Sequence, residues 1–244
     1  MKVIGVIPAR FQSSRFPGKP LVDILGKPMI WWVFQQCMKV KDLDEVIIAT
    51  DDIRIQDTCL EYNMPVIMTS DKHVTGSDRV GEVASKVDGD IFINIQGDEP
   101  VIPPQMIQQV IDIFNDKTVN FGTLRKEITD KSEILADSTV KVVVNTNNDA
   151  LFFSRNVIPS NLHGDKKGRV FRHVGIYGYT REFLLMFSSM KQTELELAEG
   201  IEPLRILENG YKIRVEETQL ESIGVDYPKH IEHVEKIMKQ SKVI

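Results

Sequence analysis

Short apolar runs alternate with amphipathic stretches through the first half of the chain. The apolar runs, which predict buried strands, lie at Val3–Ile7, Val46–Ala49, Val66–Met68 and Ile91–Ile95. The stretches between and after them repeat their apolar residues at a helical period, at Pro28–Met38, Ile53–Tyr62, Asp78–Val87 and Gln105–Phe114. Continuous apolar strands separated by such helices are typical of a parallel sheet covered on both faces. The pattern therefore predicts an α/β fold.

The pattern changes after about residue 118. Strands are predicted at Val119–Ile128, Thr139–Val144 and His173–Thr180, but simple crossover helices do not join them. A polar segment rich in turn residues, 156–169, predicts a mobile loop. Near the end of the chain the strand–helix alternation returns, with a strand predicted at Lys212–Glu217 and a helix at Pro228–Lys239. We therefore expect one domain, 1–244, with a first half of about 1–118 and an antiparallel insertion of about 119–210.

The loop after the first strand concentrates positive charge. Right-handed crossovers place the loops that follow parallel strands along one edge of the sheet, where ligands bind. This loop carries the cations Arg10, Arg15 and Lys19 and the hydroxyls of Ser13 and Ser14. Fixed cations and small residues that expose backbone N–H groups are what a triphosphate needs. The loop matches neither the P-loop nor the dinucleotide fingerprint, and the alternative is a solvated basic loop.

Two aspartates lie where a metal ion would be held. Asp98 directly follows the fourth predicted strand, and Mg²⁺ prefers carboxylate oxygen and water. Glu99 is a weaker candidate, and a turn with a capping carboxylate is the alternative for both residues. Asp226 lies just before the last predicted helix, which Pro228 opens. There it either completes the metal site or caps the helix, and the residues alone favour the cap.

Composition narrows the possible partners. The chain has 42% hydrophobic and 27% charged residues, as ordinary globular proteins do, and its net charge is −5. An acidic chain is a poor match for nucleic acid or for an anionic membrane surface. No run approaches the roughly 18 apolar residues of a membrane span. We expect a cytoplasmic protein without membrane insertion, in which Cys37 and Cys59 are two small buried residues rather than a disulfide or zinc site.

Several segments together resemble the CMP-Kdo synthetase (3-deoxy-manno-octulosonate cytidylyltransferase) family. The resemblance covers essentially the whole chain, and the first, fourth and eighth segments below are specific in combination. The segments are Ile7–Arg10 with Ser13–Leu21, Gly26–Ile30, Ala49–Asp51, His73–Arg79, Asn94–Pro100, Val140–Val143, Phe153–Arg155, Arg172–Tyr179 and Gly224–Asp226.

The resemblance implies a reaction and a set of nucleotide-binding residues. CTP and a 3-deoxy-2-ulosonic acid would give a CMP-sugar and pyrophosphate, for lipopolysaccharide or capsule synthesis. The implied catalytic residues are Arg10, Lys19, Asp98 and Asp226, of which the two aspartates would hold Mg²⁺. The implied CTP-binding residues are Pro8, Ala9, Arg10, Ser13, Ser14, Arg15, Lys19, Thr75, Ser77 and Gln96. The fold implied is a mostly parallel, Rossmann-like nucleotidyltransferase sheet.

The family also implies a sugar site and a partner. The candidate sugar-binding residues are Arg79, Arg155, His173, Tyr177 and Glu202, where an arginine would clamp the sugar carboxylate. Taken as residues alone, His173 and Tyr177 are more typical of structural positions. The resemblance further implies a homodimer formed through the insertion at 119–210.

The sugar half departs from the family at one place. The family segment Leu-Glu-Gln-Leu-Arg is replaced by Ile201–Arg205, where Pro203 stands for a glutamine and fixes the local backbone. Glu199-Gly200 just before it would add flexibility. Three candidates therefore remain for the acid sugar: Kdo, an amino-substituted Kdo and another ulosonic acid. A nucleotide-binding homologue without turnover is the non-catalytic alternative.

Overall fold

The computed structural model describes residues 1–12, 16–160 and 168–240. It divides the chain into two compact units. Unit 1 contains Met1–Gln108 and Glu221–Ile244, and unit 2 contains Gln109–Leu220. The expectation that 1–244 forms a single domain stays a prediction. Part of the loop predicted to be mobile, 161–167, lies outside the described residues.

Unit 1 is built on a parallel sheet. Its elements up to the first unit boundary are β1 Val3–Ala9, β2 Asp23–Ile24, β3 Lys27–Pro28, α1 Met29–Cys37, β4 Glu45–Thr50, α2 Ile53–Glu61, β5 Val66–Met68, α3 Gly76–Lys86, β6 Ile91–Asn94 and α4 Pro104–Asp112. Strands β6, β1, β4 and β5 lie side by side in that order and are parallel. Strands β2 and β3 form a separate antiparallel hairpin. The α/β prediction is confirmed.

Helix starts in unit 1 follow local capping chemistry. The Asp52 carboxylate accepts a hydrogen bond of 3.0 Å from the Arg54 N–H, so Asp52 rather than Asp51 caps α2. In α3, Thr75 and Asp78 form a reciprocal capping box. This box starts the helix at Gly76, two residues before the predicted start, and so brings the Gly76 backbone to the carboxyl-end edge of the sheet.

Unit 2 contains the antiparallel insertion. Its elements are β7 Phe121–Ile128, α5 Lys131–Leu135, β8 Lys141–Val144, β9 Ala150–Ser154, β10 Val170–Thr180, α6 Arg181–Ser189, α7 Glu194–Glu199, α8 Pro203–Glu208 and β11 Arg214–Glu217. Strand β10 is antiparallel to β7 and β8, and β8 is antiparallel to β9. Strand β11 is parallel to β7. The register of β7 and β10 shifts between Val174 and Tyr177, where a β-bulge lies.

The end of the chain returns to unit 1. Its helix, α9, spans His230–Gln240 and so begins two residues after Pro228. Val225, Val234 and Met238 are fully buried there in a cluster with Met29. The other buried members of that cluster are Ile24 and Trp32, and the Trp32 indole N–H donates to the Ile24 carbonyl over 2.7 Å. This packing fixes the segment that carries Asp226.

Two further expectations concern the cysteines and membrane insertion. Cys37 and Cys59 are both buried, and burial raises the pKa of both thiols, that of Cys59 to about 12. Among the residues that the structure describes, no helix combines the length and apolar character that a membrane span requires.

The C-terminal cluster predicts a stability difference between two methionines. Met238 is 0% exposed whereas Met38 is 58% exposed. Met238→Ala should lower the free energy of unfolding by about 2–5 kcal/mol, because it leaves a cavity in the cluster. Met38→Ala, the matched control, should change it by less than about 0.5 kcal/mol. Urea denaturation measures both, and equal effects would contradict the packing described for α9.

Candidate active site

A cavity of about 400 Å³ lies in unit 1 at the carboxyl ends of β1 and β6. Side chains and backbone from three separate loops line it. The lining residues are Pro8, Ala9, Arg10, Gln12, Lys19, Pro20, Gly76, Gln96, Gly97 and Asp98. Six of them were expected from the sequence, and Gln12, Pro20, Gly76 and Gly97 were not. The parallel strand order thus brings the charged loop and the Asp98 turn to one edge.

The charged loop is closed on itself by Gly18. Its N–H donates to the Phe11 carbonyl over 2.8 Å, and its backbone has a φ of +71°. A Cβ at this position would lie 3.1 Å from the Phe11 ring, so glycine is required both by conformation and by space. The Arg54 guanidinium stacks on the same ring. This closure sets the position of Lys19, while Ser13, Ser14 and Arg15 lie outside the described residues.

Lys19 and Asp98 form an ion pair at the floor of the cavity. The Lys19 Nζ lies 2.6 Å from Asp98 Oδ2. The turn that presents Asp98 needs Gly97, because a Cβ there would lie 2.8 Å from the Pro8 carbonyl oxygen. One predicted triphosphate cation and one predicted metal ligand are therefore adjacent.

Asp226 is brought to the same turn by its neighbours in the chain. The Val225 N–H donates to the Asp98 carbonyl over 2.8 Å, and the Ser222 hydroxyl donates to Glu99 Oε2 over 2.6 Å. The Asp226 N–H is 3.2 Å from His230 Nδ1. The two aspartates predicted to hold a metal thus belong to hydrogen-bonded segments. Glu99, the weaker candidate, is bound to Ser222.

The remaining nucleotide candidates divide between the cavity wall and its support. Pro8, Ala9 and Gln96 line the cavity. Thr75 caps α3 with its side chain. Ser77 is buried, and its hydroxyl oxygen lies 3.4 Å from Asn94 Nδ2. Gly76, between the two, is the residue of this segment that reaches the cavity.

A second cavity, of about 440 Å³, adjoins the same loop and is acidic. It shares Arg10 and Gln12 with the first, and its other lining residues are Asp51, Asp52, Asp71 and His73. Two of the three aspartates are paired with arginines, Asp51 with Arg79 and Asp52 with Arg54. Arg10 lies at the common boundary of the two cavities.

Arg79 is engaged inside unit 1. It is fully buried, and its guanidinium donates to Asp51 Oδ2 over 2.7 Å and to the Thr69 hydroxyl. A side chain with no accessible surface has no face to offer to a sugar carboxylate. The structure therefore argues against the expected sugar contact and gives Arg79 the role of neutralising Asp51.

Arg155 is likewise bound to protein. Its guanidinium donates to the backbone carbonyls of Glu199, Asp137 and Gly200 over 2.7, 2.9 and 3.4 Å. The Glu199 carboxylate in turn accepts from the Ser154 hydroxyl and the Arg155 N–H, each over 2.9 Å. Glu199-Gly200, expected to be flexible, is therefore pinned to β9. Arg155 therefore joins β9 to the segments of Asp137 and Glu199-Gly200, and its expected contact with the sugar stays a prediction.

The buried Lys141 completes this network. Its ammonium donates to the carbonyls of Ala136 and Thr139, each over 2.8 Å, and to that of Arg155 over 2.5 Å. All three N–H donors of the lysine are thereby used. Burial lowers the pKa of Lys141. This arrangement was not predicted, because its acceptors are backbone atoms, which every residue carries.

His173 and Tyr177 pack together on β10. Their rings are 5.4 Å apart, and the edge of the His173 ring meets Phe153 at 5.1 Å. Burial, followed by the positive charge of Arg172, lowers the pKa of His173 to about 3. The imidazole is therefore neutral near pH 7. Both residues are half-buried, so the aromatic cluster supports them from one side.

Glu202 lies at the start of α8. Its carbonyl accepts from the Arg205 N–H over 3.0 Å, and Pro203 is buried as the first residue of the helix. Arg205 forms a buried pair with Glu196, with Nε 2.7 Å from Oε2. Burial alone would raise the pKa of Glu196, but the hydrogen bonds from Arg205, the Thr193 backbone and Gln192, with the charge of Arg205, together lower that pKa. This pair, missed from the sequence, holds α7 against α8.

The parallel sheet, the cationic loop and the paired aspartate segments at its edge are those of an α/β nucleotidyltransferase. The family model described as Cytidylyltransferase matches residues 4–215. The chain therefore belongs to the cytidylyltransferase family.

Named relatives cover nearly the whole chain. A 3-deoxy-manno-octulosonate cytidylyltransferase of Geobacter metallireducens is 45% identical over 96% of this chain and 96% of its own length. One of Trichlorobacter lovleyi is 45% identical over 98% of this chain and 100% of its own. A solved CMP:2-keto-3-deoxy-manno-octonic acid synthetase complexed with CTP is 42% identical, with a TM-score of 0.94 over 99% of this chain and 100% of its own.

The neutral His173 predicts a pH dependence of stability. The unfolded chain takes up a proton here below about pH 6.5, whereas the folded chain does so only near pH 3. Since the unfolded state binds more protons in that window, the free energy of unfolding falls as the pH falls from about 6.5 to 3. His173→Gln should flatten this slope, and the exposed His233→Gln should keep it. Urea denaturation at a series of pH values measures the slopes, and parallel curves for wild type and His173→Gln would contradict the assignment.

Proposed function

We propose that this protein transfers CMP from CTP to a 3-deoxy-2-ulosonic acid, with 3-deoxy-manno-octulosonate as the first candidate, and releases pyrophosphate. The observation that carries the proposal is the juxtaposition of Lys19 and Asp98 in one cavity, with the Asp226 segment hydrogen-bonded to the Asp98 turn through Val225. The names of the relatives support the choice of nucleotide and sugar. The product would serve lipopolysaccharide or capsule synthesis.

The transfer is an in-line substitution at the α-phosphorus. The anomeric hydroxyl oxygen of the sugar forms the new bond to phosphorus, and the bond to the bridging oxygen of pyrophosphate breaks. The hydroxyl proton leaves to solvent or to a basic oxygen nearby. Such a reaction needs positioning and neutralisation of charge more than covalent help from the protein.

Lys19 and Arg10 supply the positive charge for the leaving pyrophosphate. Both line the first cavity. Lys19 lines the first cavity and not the second, so the triphosphate is placed on that side of Arg10. Arg15, Ser13 and Ser14 belong to the same loop by sequence and are kept as proposed ligands.

Asp98 and Asp226 fit a magnesium ion that completes its shell from the substrate. The described residues contain no cluster of three or more acidic, histidine or cysteine side chains suited to a metal. Two carboxylates with phosphate oxygens and water are what Mg²⁺ takes in nucleotide sites. When bound, the ion would polarise the α-phosphate. Lys19 would shift from Asp98 toward the phosphates as that carboxylate takes up the ion.

The base and the sugar would be read by different parts of the chain. Gln96, with Pro8 and Ala9, is the proposed cytosine contact, because an amide offers both a donor and an acceptor. Thr75 and Ser77 support the Gly76 backbone from α3. Tyr177, His173 and Glu202 are the proposed readers of sugar hydroxyls, whereas Arg79 and Arg155 act as internal supports.

The described residues also support two proposals about context. Five leucines of unit 2 are exposed, and β9, which carries one of them, pairs within the described strands with β8 alone. The leucines are Leu135, Leu151, Leu185, Leu195 and Leu197. We propose that they belong to a homodimer interface, which sedimentation equilibrium would detect as a doubled mass. We place the enzyme in the cytoplasm, where CTP is available.

A panel of acid sugars tests the function directly. Pyrophosphate release would be followed with CTP, Mg²⁺ and each of Kdo, amino-substituted Kdo and other ulosonic acids. The proposal expects release with at least one acid, and CTP binding without release on any of them would favour the non-catalytic homologue. Pro203→Gln should change the ranking of the acids, because it restores an amide and frees the backbone at the start of α8. An unchanged ranking would make this departure incidental.

Removing one aspartate charge should stop catalysis without unfolding the protein. Metal-ion stabilisation of a transition state is worth several kcal/mol, so Asp98→Asn should lower kcat by about a hundredfold or more. Thermal unfolding would show that the fold persists. Asp88→Asn, an exposed position outside the cavity, is the matched control and should keep the wild-type rate. Near-normal turnover by Asp98→Asn would remove Asp98 from the metal site.

A further inference from the structure

Thr123 makes three close polar contacts at the bulge of β10. Its hydroxyl oxygen lies 3.0 Å from His173 Nε2, 2.8 Å from the Ile176 carbonyl and 3.1 Å from the Val174 carbonyl. Thr123 is fully buried on β7 and pairs with Tyr177, immediately after the register shift. The bulge therefore gathers two carbonyls and an imidazole around a single hydroxyl.

The hydroxyl has one proton, and its neighbours decide where that proton goes. Both carbonyls accept hydrogen bonds and cannot donate them. If the proton pointed to His173, both carbonyl oxygens would face the hydroxyl lone pairs at 2.8 and 3.1 Å, which is repulsive in a buried place. If it points to the Ile176 carbonyl, the hydroxyl oxygen can accept a hydrogen from His173. The second arrangement satisfies both His173 and the Ile176 carbonyl, whereas the first satisfies His173 alone.

We propose that Thr123 is a positioning residue that holds His173 in the tautomer with the proton on Nε2, leaving Nδ1 as an acceptor for a hydroxyl of the acid sugar. The tautomer follows from the contacts of Thr123 alone. The sugar contact rests on the proposed function. Thr123 was not expected from the sequence, and it would act only through His173.

The surroundings of the imidazole agree with this role. The lowered pKa keeps the ring neutral near pH 7, so one nitrogen is an acceptor. Within the described part of the chain, the hydrogen bond from the side chain of His173 is the one to Thr123, which leaves Nδ1 available. Phe153 and Tyr177 pack against the ring and fix its plane. A fixed ring with a fixed tautomer presents its lone pair in one direction.

Nitrogen NMR of the free protein tests the tautomer. The protein would be labelled with ¹⁵N-histidine, and long-range proton–nitrogen spectra near pH 7 distinguish protonated from unprotonated ring nitrogens. His173→Gln identifies the His173 signals by their disappearance. The expected pattern in wild type is a protonated Nε2 and an unprotonated Nδ1. A protonated Nδ1 in wild type overturns the proposal, whatever the variants do.

Two substitutions at Thr123 test its role. Thr123→Val keeps the shape but removes the hydroxyl, and the His173 signals should then show a tautomer mixture. Thr123→Ser keeps the hydroxyl and should keep the Nε2-protonated form. A Thr123→Val spectrum identical to wild type would overturn the proposal. If Thr123→Val does not fold, the wild-type and Thr123→Ser spectra still show whether His173 carries its proton on Nε2, and so still test the proposal.

Kinetics then test the link to the sugar. Thr123→Val should raise the KM for the acid sugar about tenfold, the usual size for one oriented hydrogen bond, and leave the KM for CTP unchanged. Thr123→Ser should restore the wild-type KM for the sugar. Equal changes in both constants would indicate a merely structural role and overturn the link. Absence of turnover in wild type would contradict the proposed function. It would not contradict the tautomer assignment, which the NMR of the free protein tests independently.

Discussion

The hydrogen bond between the Val225 N–H and the Asp98 carbonyl is the constraint on which the proposed metal site depends. Asp226 comes from the far end of the chain, and backbone pairing with the Asp98 turn sets its position more firmly than a side-chain contact would. The apolar cluster of Val225, Val234 and Met238 anchors the segment on the other side. Burial of the apolar cluster thus stabilises the position of the segment, and the backbone hydrogen bond orients the segment toward the Asp98 turn. The segment that carries Asp226 is thus held in place by the buried face of an amphipathic helix, α9.

Local charge, rather than net charge, defines the proposed nucleotide site. The chain as a whole is acidic, yet Lys19 and Arg10 line one cavity, and Arg10 also lines the next. The Lys19–Asp98 pair keeps both groups oriented and partly neutralised before any ligand binds. In the second cavity Asp51 is paired with Arg79, and Asp52 with Arg54. Most of the carboxylates that line the two cavities are therefore compensated within the protein.

Much of unit 1 could be predicted from the sequence, because a parallel strand that is buried on both faces has a continuous run of apolar residues, as β1 and β4 do. The cavity residues Lys19 and Asp98 followed from their place after such strands, and Gln96 followed from the family resemblance. The sugar side was harder. Arg79 and Arg155 looked like open cations, but their partners are a distant aspartate and backbone carbonyls, and carbonyls leave no trace in a sequence. Strand β9 was missed, although its residues Ala150–Phe153 are as continuously apolar as those of the shorter strand β5. Thr123 acts through a bulge, which only the paired strands define.

Gly97 shows how space can restrict a sequence independently of chemistry. Any side chain there would enter the volume of the Pro8 carbonyl oxygen, and that oxygen belongs to the backbone of the central strand β1. No rotamer relieves such a contact, because the clash begins at Cβ. As descendants of this fold exchange one sugar for another, the residues that read the sugar are free to drift. Position 97 is not, because its occupant is decided by excluded volume before any substrate arrives.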